Sequence, residues 1–509
     1  MTGPARGGTE RGTRPPLRST GIPGAVGAIA LVLVLGLALR FIIAYVILPG
    51  SGFRTDVISF QAWAGRLASE GPGTLYTTGF IDYTPGYMYV LWLVGVVGRA
   101  IGGIGDLIKL PPILADAAVG YLAWSMTREL GARQGVALLA ALLFILNPIS
   151  WFDSAIWGQV DSFGVVFMLL ALRELWRDRP ERAAIFTVVA AVIKPQLGIL
   201  IPLVAVITIR RALWPSSGFG DDTPPEPVEL RPGLLGRFLE WERDTGRPVR
   251  ILTTALVGFI FAVVLCAPFG LSVLEPSAQA PFVKSGLLQQ IGRAAGGYPY
   301  VTVNAYNPWA LVPGDTGLSL AKHGVWMCDM AGIGPNLSGG DRCSTGTAFI
   351  GPIPAIAVGT ALLLATIAVV LIFAARHPER RTLLVALAVL ALAFFVVPTR
   401  VHERYLFPLY AVGAILAAVS VRWRVAYVLL SVATFANMYV VITTIYDNSS
   451  HKVRDWLGIG GSINDELWVA VIAMVHLLGF VWALAQLRAN GREQLADEIA
   501  EAGAIDESA

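Results

Sequence analysis

Charge is what this sequence lacks most. Only 14% of its 509 residues are charged, against roughly 25% in an ordinary soluble protein. The five histidines are scattered and the three cysteines form no pair at metal-ligand spacing, so neither HExxH nor CxxC chemistry is available. There is no P-loop, and "GGIGD" at 102–106 lacks the strand-then-helix setting of a dinucleotide site. A net charge of +3 gives no basic excess for nucleic acid. Apolar residues are abundant instead: 55% of the chain is hydrophobic and mean hydropathy is +0.64. They come in long runs separated by short polar stretches, the pattern of membrane spans.

These runs predict an all-α polytopic membrane protein with about twelve transmembrane helices. Expected spans lie at 24–48, 110–128, 134–148, 161–176, 183–194, 196–209, 251–268, 352–374, 382–397, 405–420, 425–445 and 467–487. The short pair at 183–194 and 196–209 reads as a tight hairpin, because Lys194 and Pro195 would interrupt one long helix. Arg6, Arg11, Arg14 and Arg18 precede the first run, which is too long for a secretory signal. The positive-inside rule then predicts an uncleaved first helix and a cytoplasmic basic tail, 1–23. The membrane domain would cover 24–487, with external loops 49–109 and 269–350 and a cytoplasmic loop 212–250 that holds an amphipathic "LLGRFLEWER". The polar tail 488–509 is expected to be cytoplasmic and frayed. The run 86–101 is apolar enough to span, but counting it would place the arginines of every later loop outside. It is therefore expected to lie along the membrane surface. Cys266 falls in a span and reads as a small buried residue. Cys328 and Cys343 share an external loop, where an oxidising compartment would allow a disulfide.

Ionisable residues in or beside spans are costly and become functional candidates. Five clusters fall on the external side. In "FRTDVISFQAW", Val57, Phe60, Ala64 and Leu67 recur at helical spacing, predicting a surface helix with Asp56 in its first turn; capping that helix is the plainer role for Asp56. "IDYTPGY" holds Asp82 and Tyr83 and taken alone is a turn. "NPISWFDSAIWGQVDSF" places Asp153, Trp157, Gln159 and Asp161 between two spans, where an aromatic belt with helix caps is the simpler alternative. In "AVIKPQLG", Lys194 could snorkel or pair with an anionic headgroup, with Gln196 beside it. "PTRVHERYLFP" holds Arg400, His402, Glu403 and Arg404 and has the makings of a phosphate clamp. Positive charge at a helix end would explain it otherwise, but such charge belongs inside.

The ordered motifs resemble the GT-C fold glycosyltransferases. The external Asp after the first span, "DYTP", "WGQVD", "IKPQ" and "VHERYLFP" are similar to motifs of the dolichyl-phosphate-glucose glucosyltransferases. "WGQVDS" and "HERYLFP" look closer still to bacterial polyprenyl-phosphate-sugar-dependent mannosyltransferase-like proteins. Asp161 stands where the eukaryotic motif has Asn, Arg404 where it has Lys, and Pro195 interrupts the Lys-Gln pair. The stretch "YPYVTVNAYNPWAL" matches only the bacterial relatives.

The resemblance implies a cell-membrane hexosyltransferase with an external active site. It would transfer mannose or glucose, with arabinose also fitting, from a polyprenyl phosphate to an acceptor hydroxyl with inversion. Asp56 would be the catalytic base. Lys194, His402 and Arg404 would hold the donor phosphate, and Asp153, Gln159 and Asp161 would orient sugar hydroxyls or the base. Asp82, Tyr83, Trp157, Gln196 and Glu403 complete the expected substrate-binding set. The acceptor would be a glycan, lipid or protein, and membrane lipids the remaining partners. No cofactor is expected, although a divalent ion stays open if Asp56, Asp153 and Asp161 converge. The alternative function is a transporter or lipid flippase of envelope glycan assembly, which would place charges near the midplane and often show inverted repeats.

Overall fold

The computed structural model describes residues 22–77, 81–214, 233, 247–274, 286–312, 327–335, 340–344, 346–446, 450–451 and 453–504. The protein is all-α and membrane-spanning; the described strands are two-residue pairs. The basic N-terminal tail and the amphipathic segment of loop 212–250 lie outside the described residues.

A helix occupies each of the expected span positions. They are α1 (Ile22–Phe41), α4 (Leu110–Glu129), α5 (Gln134–Ile145), α6 (Asp161–Trp176), α7 (Pro180–Ile193), α8 (Leu200–Leu213), α9 (Val249–Cys266), α11 (Ala355–Arg376), α12 (Arg380–Val396), α13 (Phe407–Val419), α14 (Val421–Val440) and α15 (Glu466–Ala485). Between them lie α2 (Arg54–Glu70), α3 (Pro85–Ala100) and α10 (Leu287–Gly296), and α16 (Ala489–Gly503) ends the chain. Among the described residues, seven helices are long and apolar enough to cross a bilayer. An eighth appears if Gln134–Ile145 and Pro148–Trp157, bent by 45°, form one span. The others are shorter than the roughly 20 residues a bilayer core requires: α6 has 16, α7 14, α12 17 and α13 13.

The helices at the twelve expected positions thus form two populations. Only lipid-facing helices must match the hydrocarbon thickness. The most apolar stretch of α11 is 11% buried, whereas every residue of α13 is buried. Protein surrounds α12 and α13 on all sides, so they can stop early and leave depth for loops at one end.

The loops sort to two ends, as their charges suggested. At one end Arg173 and Arg177 pair with Glu129, Arg211 and Arg250 with Asp178, and Arg380 donates to the Glu129 carbonyl. Arg211, at the end of α8, also donates to the Leu175 carbonyl at the end of α6. Because α7 begins at that same end, α7 and α8 form the expected hairpin, turning at Lys194–Pro195. The C-terminal tail departs from expectation here. Instead of fraying it forms α16, which returns to the bundle: Arg422 grips Glu498 at 2.9 and 3.1 Å, Arg133 N–H donates to the Ala502 carbonyl, and Leu495 is buried. Its apolar residues follow helical spacing, which a charge count alone overlooks.

The opposite end gathers all five polar clusters. There α2 and α3 lie side by side and run the same way, with Phe60 beside Tyr87 and Arg99 donating to the Ala68 carbonyl. The first turns of α3 touch α7 and α9, through Gly86 against Ile193 and Tyr89 donating to the Leu265 carbonyl. Its second half packs on α2 through Gly95 and on Ile104 through Gly98. A segment of the long loop, Val301 to Ala310, is buried in the bundle mouth. Tyr306 N–H donates to Asn437, its hydroxyl to Asn464, and Asn307 donates to the Phe395 carbonyl. Cys328 and Cys343 are disulfide-bonded and Cys266 is a buried free thiol.

One charge pair lies deep in the bundle. Arg40 and Asp116 are both fully buried and meet at 2.6 Å. Arg40 also donates to the Ser150 hydroxyl and the Ile145 carbonyl, and Ser154 donates to Asp116. This staple joins α1, α4, α5 and the turn after it. Removing one partner leaves a buried uncompensated charge, so Arg40→Ala should lower stability by about 3–5 kcal/mol in thermal unfolding of the detergent-solubilised protein. The pair replacement Arg40→Met with Asp116→Leu should cost clearly less than Arg40→Ala alone. Equal losses would show that the charge pairing contributes nothing. For the topology, a reporter fused after residue 105 should be external; a cytoplasmic reporter would make α3 a span.

Candidate active site

The site begins with α2, whose buried stripe Val57, Phe60, Trp63, Ala64 and Leu67 fixes the rotation of the helix. That rotation turns Asp56, in the first turn, toward the loop ahead of α6. Asp56 does not cap its own helix: residue 53 is the N-cap and no side chain caps the helix. Its Oδ2 accepts from Trp157 Nε1 at 3.0 Å and from Gln159 Nε2 at 2.5 Å. Two neighbours of one glycine thus reach the same oxygen. Gly158 allows this through its left-handed φ of 83°, which L side chains rarely adopt. A π-helical turn, Phe152–Trp157, precedes it, and the Gly158 and Gln159 amides both donate to the Asp153 carbonyl.

Gln159 is fully buried and bridges the site. Its Oε1 accepts from the Tyr83 hydroxyl at 3.1 Å, so the "DYTP" turn joins Asp56 through it. The Tyr83 carbonyl in turn accepts from Tyr76 and from Gln290 of α10.

A second group lies on α6 and its neighbours. Asp161 is the first residue of α6, where the helix dipole favours a carboxylate. Lys194 Nζ meets its Oδ2 at 2.6 Å, Gln196 donates to Oδ1 at 3.3 Å, and Arg404 Nε approaches Oδ2 at 3.9 Å. Arg404 also pairs with Glu403 at 2.9 Å and lies 5.7 Å from the centre of the Trp157 ring. Trp157, bonded to Asp56 through its indole N–H and near the Arg404 guanidinium, connects the two groups.

Four expected residues are placed differently from their assigned roles. Arg400 does not stand with Arg404; its guanidinium is bound by Asp329 at 2.8 Å. His402 is held between the Tyr298 and Tyr405 rings, each 5.0 Å away. Burial, then the cations Arg404 and Lys194, push its pKa well below the usual histidine range. Both effects oppose a positive charge on its ring. Lys194 is buried and already paired with Asp161, so it is not a snorkelling lysine. Asp153 is buried, with neither side-chain oxygen hydrogen-bonded among the described residues. Asp56, Asp153 and Asp161 do not converge: no group of three His, Cys, Asp or Glu side chains forms a metal site among the described residues.

Carboxylates outnumber cations here. Among the described residues, Asp56, Asp82, Asp161 and Glu403 share the electrostatic neighbourhood of Lys194 and Arg404. Burial, then the nearby Asp56, pushes Asp82 up to about 6, and burial raises Glu403 despite its pairing with Arg404.

Sequence reasoning overlooked several structural contributors. Arg40 and Asp116 are charges within spans, and the cost of such charges should have singled them out. Lys109, fully buried and bonded to Ser51 at 2.9 Å, lies against Gly158 and carries no such signal. Gln290, Tyr298 and Asp329 reach the site from the long loop, with nothing local to announce them.

Residues 80–216 match the model of Glycosyltransferase family 87. No curated protein matches the chain. The matched stretch contains Asp82, Tyr83, Asp153, Trp157, Gln159, Asp161, Lys194 and Gln196, and it supports a membrane glycosyltransferase with a sugar donor and an acceptor.

Asp82 supplies a test that needs no substrate. Its raised pKa means the acid is neutral below about pH 6 and ionised above. By linkage its contribution to stability is complete below the ordinary carboxyl range and is lost as pH rises through about 6. Infrared titration should show a protonated-carboxyl band fading near pH 6 that Asp82→Asn removes. An unchanged band would assign the titration elsewhere.

Proposed function

We propose that this protein transfers one hexose, mannose or glucose, from a polyprenyl phosphate to an acceptor hydroxyl on the external face of the cell membrane, inverting the anomeric centre. The observation that carries this reading is Asp56: a partly exposed carboxylate with one oxygen held by Trp157 and Gln159, within the field of the Arg404 cation. A base and a leaving-group cation thus share one aromatic side chain: Asp56 accepts from the Trp157 indole N–H, and Arg404 lies 5.7 Å from the ring centre.

In the proposed reaction the acceptor oxygen bonds to the anomeric carbon while the bond from that carbon to the phosphate oxygen breaks. Asp56 takes the acceptor proton, and the phosphate leaves on its lipid with the electron pair. As the anomeric carbon becomes cation-like, charge grows on the departing phosphate. Arg404 stabilises that charge more strongly in the transition state than in the ground state. Its geometry favours a phosphate through a planar fork of donors. Lys194, locked to Asp161, orients that carboxylate toward sugar hydroxyls and adds positive potential. Gln159 fixes the rotamer of Asp56, so reorganisation during the reaction is small. Tyr83, Asp82 and Glu403 complete the wall, the acids accepting or donating hydrogen bonds according to their protonation.

Placement of the charges at one end of the bundle supports this reading over transport, which needs ionisable groups near the midplane. With both chain termini cytoplasmic, the site would open at headgroup depth, where a lipid-borne phosphate resides.

Asp56→Asn should insert normally, keep its thermal stability and lose transfer by orders of magnitude; purified Asp56→Asn with full activity would remove it as the base. Arg404→Ala should raise the KM for the lipid-phosphate donor and lower kcat, with acceptor KM little changed. A selective rise in acceptor KM would reassign Arg404.

A further inference from the structure

Arg400 looks like a partner of Arg404 in the sequence, yet its guanidinium faces away from the sugar site. Its Nε and Nη2 donate to the two oxygens of Asp329 at 2.8 and 3.0 Å. The Thr399 hydroxyl donates to the same carboxylate at 2.7 Å. Asp329 is fully buried and lies about seventy positions away in sequence, in the long loop. Both of its side-chain oxygens are thus occupied by the turn that precedes His402.

The turn needs such a grip. Arg400 has φ of 65°, a left-handed conformation that is uncommon for a side-chain-bearing residue and persists only where the surroundings impose it. Backbone contacts alone give two ties: Arg400 N–H to the Tyr300 carbonyl at 3.0 Å, and Val303 N–H to the Val401 carbonyl at 2.8 Å. The Asp329 end is anchored in turn. Its N–H donates to the Pro299 carbonyl and its carbonyl accepts from Ile356 at the head of α11. The preceding residue, Cys328, is disulfide-bonded to Cys343.

We infer that Asp329 and Arg400 form a positioning clamp, through which the long external loop sets the turn 398–401 and thereby aims Arg404 at the donor phosphate. Neither clamp residue touches substrate. A carboxylate gripping a guanidinium through two oxygens fixes direction as well as distance. The residues that follow the turn are the ones placed: His402 between Tyr298 and Tyr405, and Arg404 over the Trp157 ring. The inference rests on the reading of Arg404 as a phosphate ligand. Its consequence is that the external loop belongs to the catalytic apparatus: losing the clamp disables donor use while the acceptor side stays intact.

The experiment compares wild type, Asp329→Asn, Asp329→Glu and Arg400→Lys as full-length protein in nanodiscs, by kinetics with polyprenyl-phosphate mannose and glucose and by hydrogen–deuterium exchange. Asp329→Asn and Arg400→Lys should each lower kcat/KM for the donor by about 10- to 100-fold, the scale of a small misplacement of a catalytic group, with acceptor KM within about twofold. Asp329→Glu, which keeps the charge, should recover most of the loss. Exchange should quicken at 298–303 and 398–405 and stay unchanged in α4, α6 and α13. Unaltered exchange at 398–405, or quickening throughout the chain, would overturn the clamp. Wild type that transfers neither sugar would sink the functional reading instead, while the exchange pattern would still judge the clamp.

Discussion

The guanidinium of Arg404 is where the parts of this protein meet. It pairs with Glu403 of its own segment, approaches Asp161 at the head of α6, and lies over the Trp157 ring that holds Asp56. A cation in such surroundings must be compensated, and each compensating group ties down another element. Asp161 brings in Lys194 and the turn of the α7–α8 hairpin. Trp157 brings in Gln159, and through it Asp56 and the Tyr83 turn. The site is therefore a single connected network and not a set of separate subsites.

The helical frame makes room for that network at one end of the bundle. Long lipid-facing helices carry the hydrocarbon boundary, while α12 and α13 are enclosed by protein and end early. The depth they leave is filled by the segment Val301 to Ala310, whose polar groups are satisfied by Asn437, Asn464, Phe395 and Val397. A loop can enter this deep only because its hydrogen bonds are met by the bundle. The opposite end is a lattice of arginine–carboxylate pairs that also retains α16. One end is thus braced, and the other is built to receive something.

Much of this was legible before the coordinates. Apolar runs placed the helices, and Asp161–Trp176 appears with the boundaries expected. The stripe Val57, Phe60, Ala64, Leu67 gave α2 with Asp56 in its first turn. Several arginines of the loops expected to be cytoplasmic meet carboxylates at one end of the bundle. What stayed hidden required long-range pairing. Nothing near Arg400 announces Asp329, and nothing in "HER" shows that burial opposes charge on both the histidine and the glutamate. Hydropathy registers apolar content but not whether lipid or protein lies outside, so it did not separate the lipid-facing helices from the enclosed ones. The tail 488–509 was misjudged for a similar reason: its polar composition conceals the one apolar face that docks.

The central claim is that Asp56 serves as base in transfer from a lipid phosphate. The most direct measurement incubates purified wild type and Asp56→Asn with a panel of polyprenyl-phosphate sugars and acceptor glycans, scoring products by mass spectrometry and anomeric configuration by NMR. The account predicts glycosylated acceptor of inverted configuration together with free polyprenyl phosphate from wild type, and neither from Asp56→Asn. Equal product from both proteins, or a retained anomeric configuration, would contradict it.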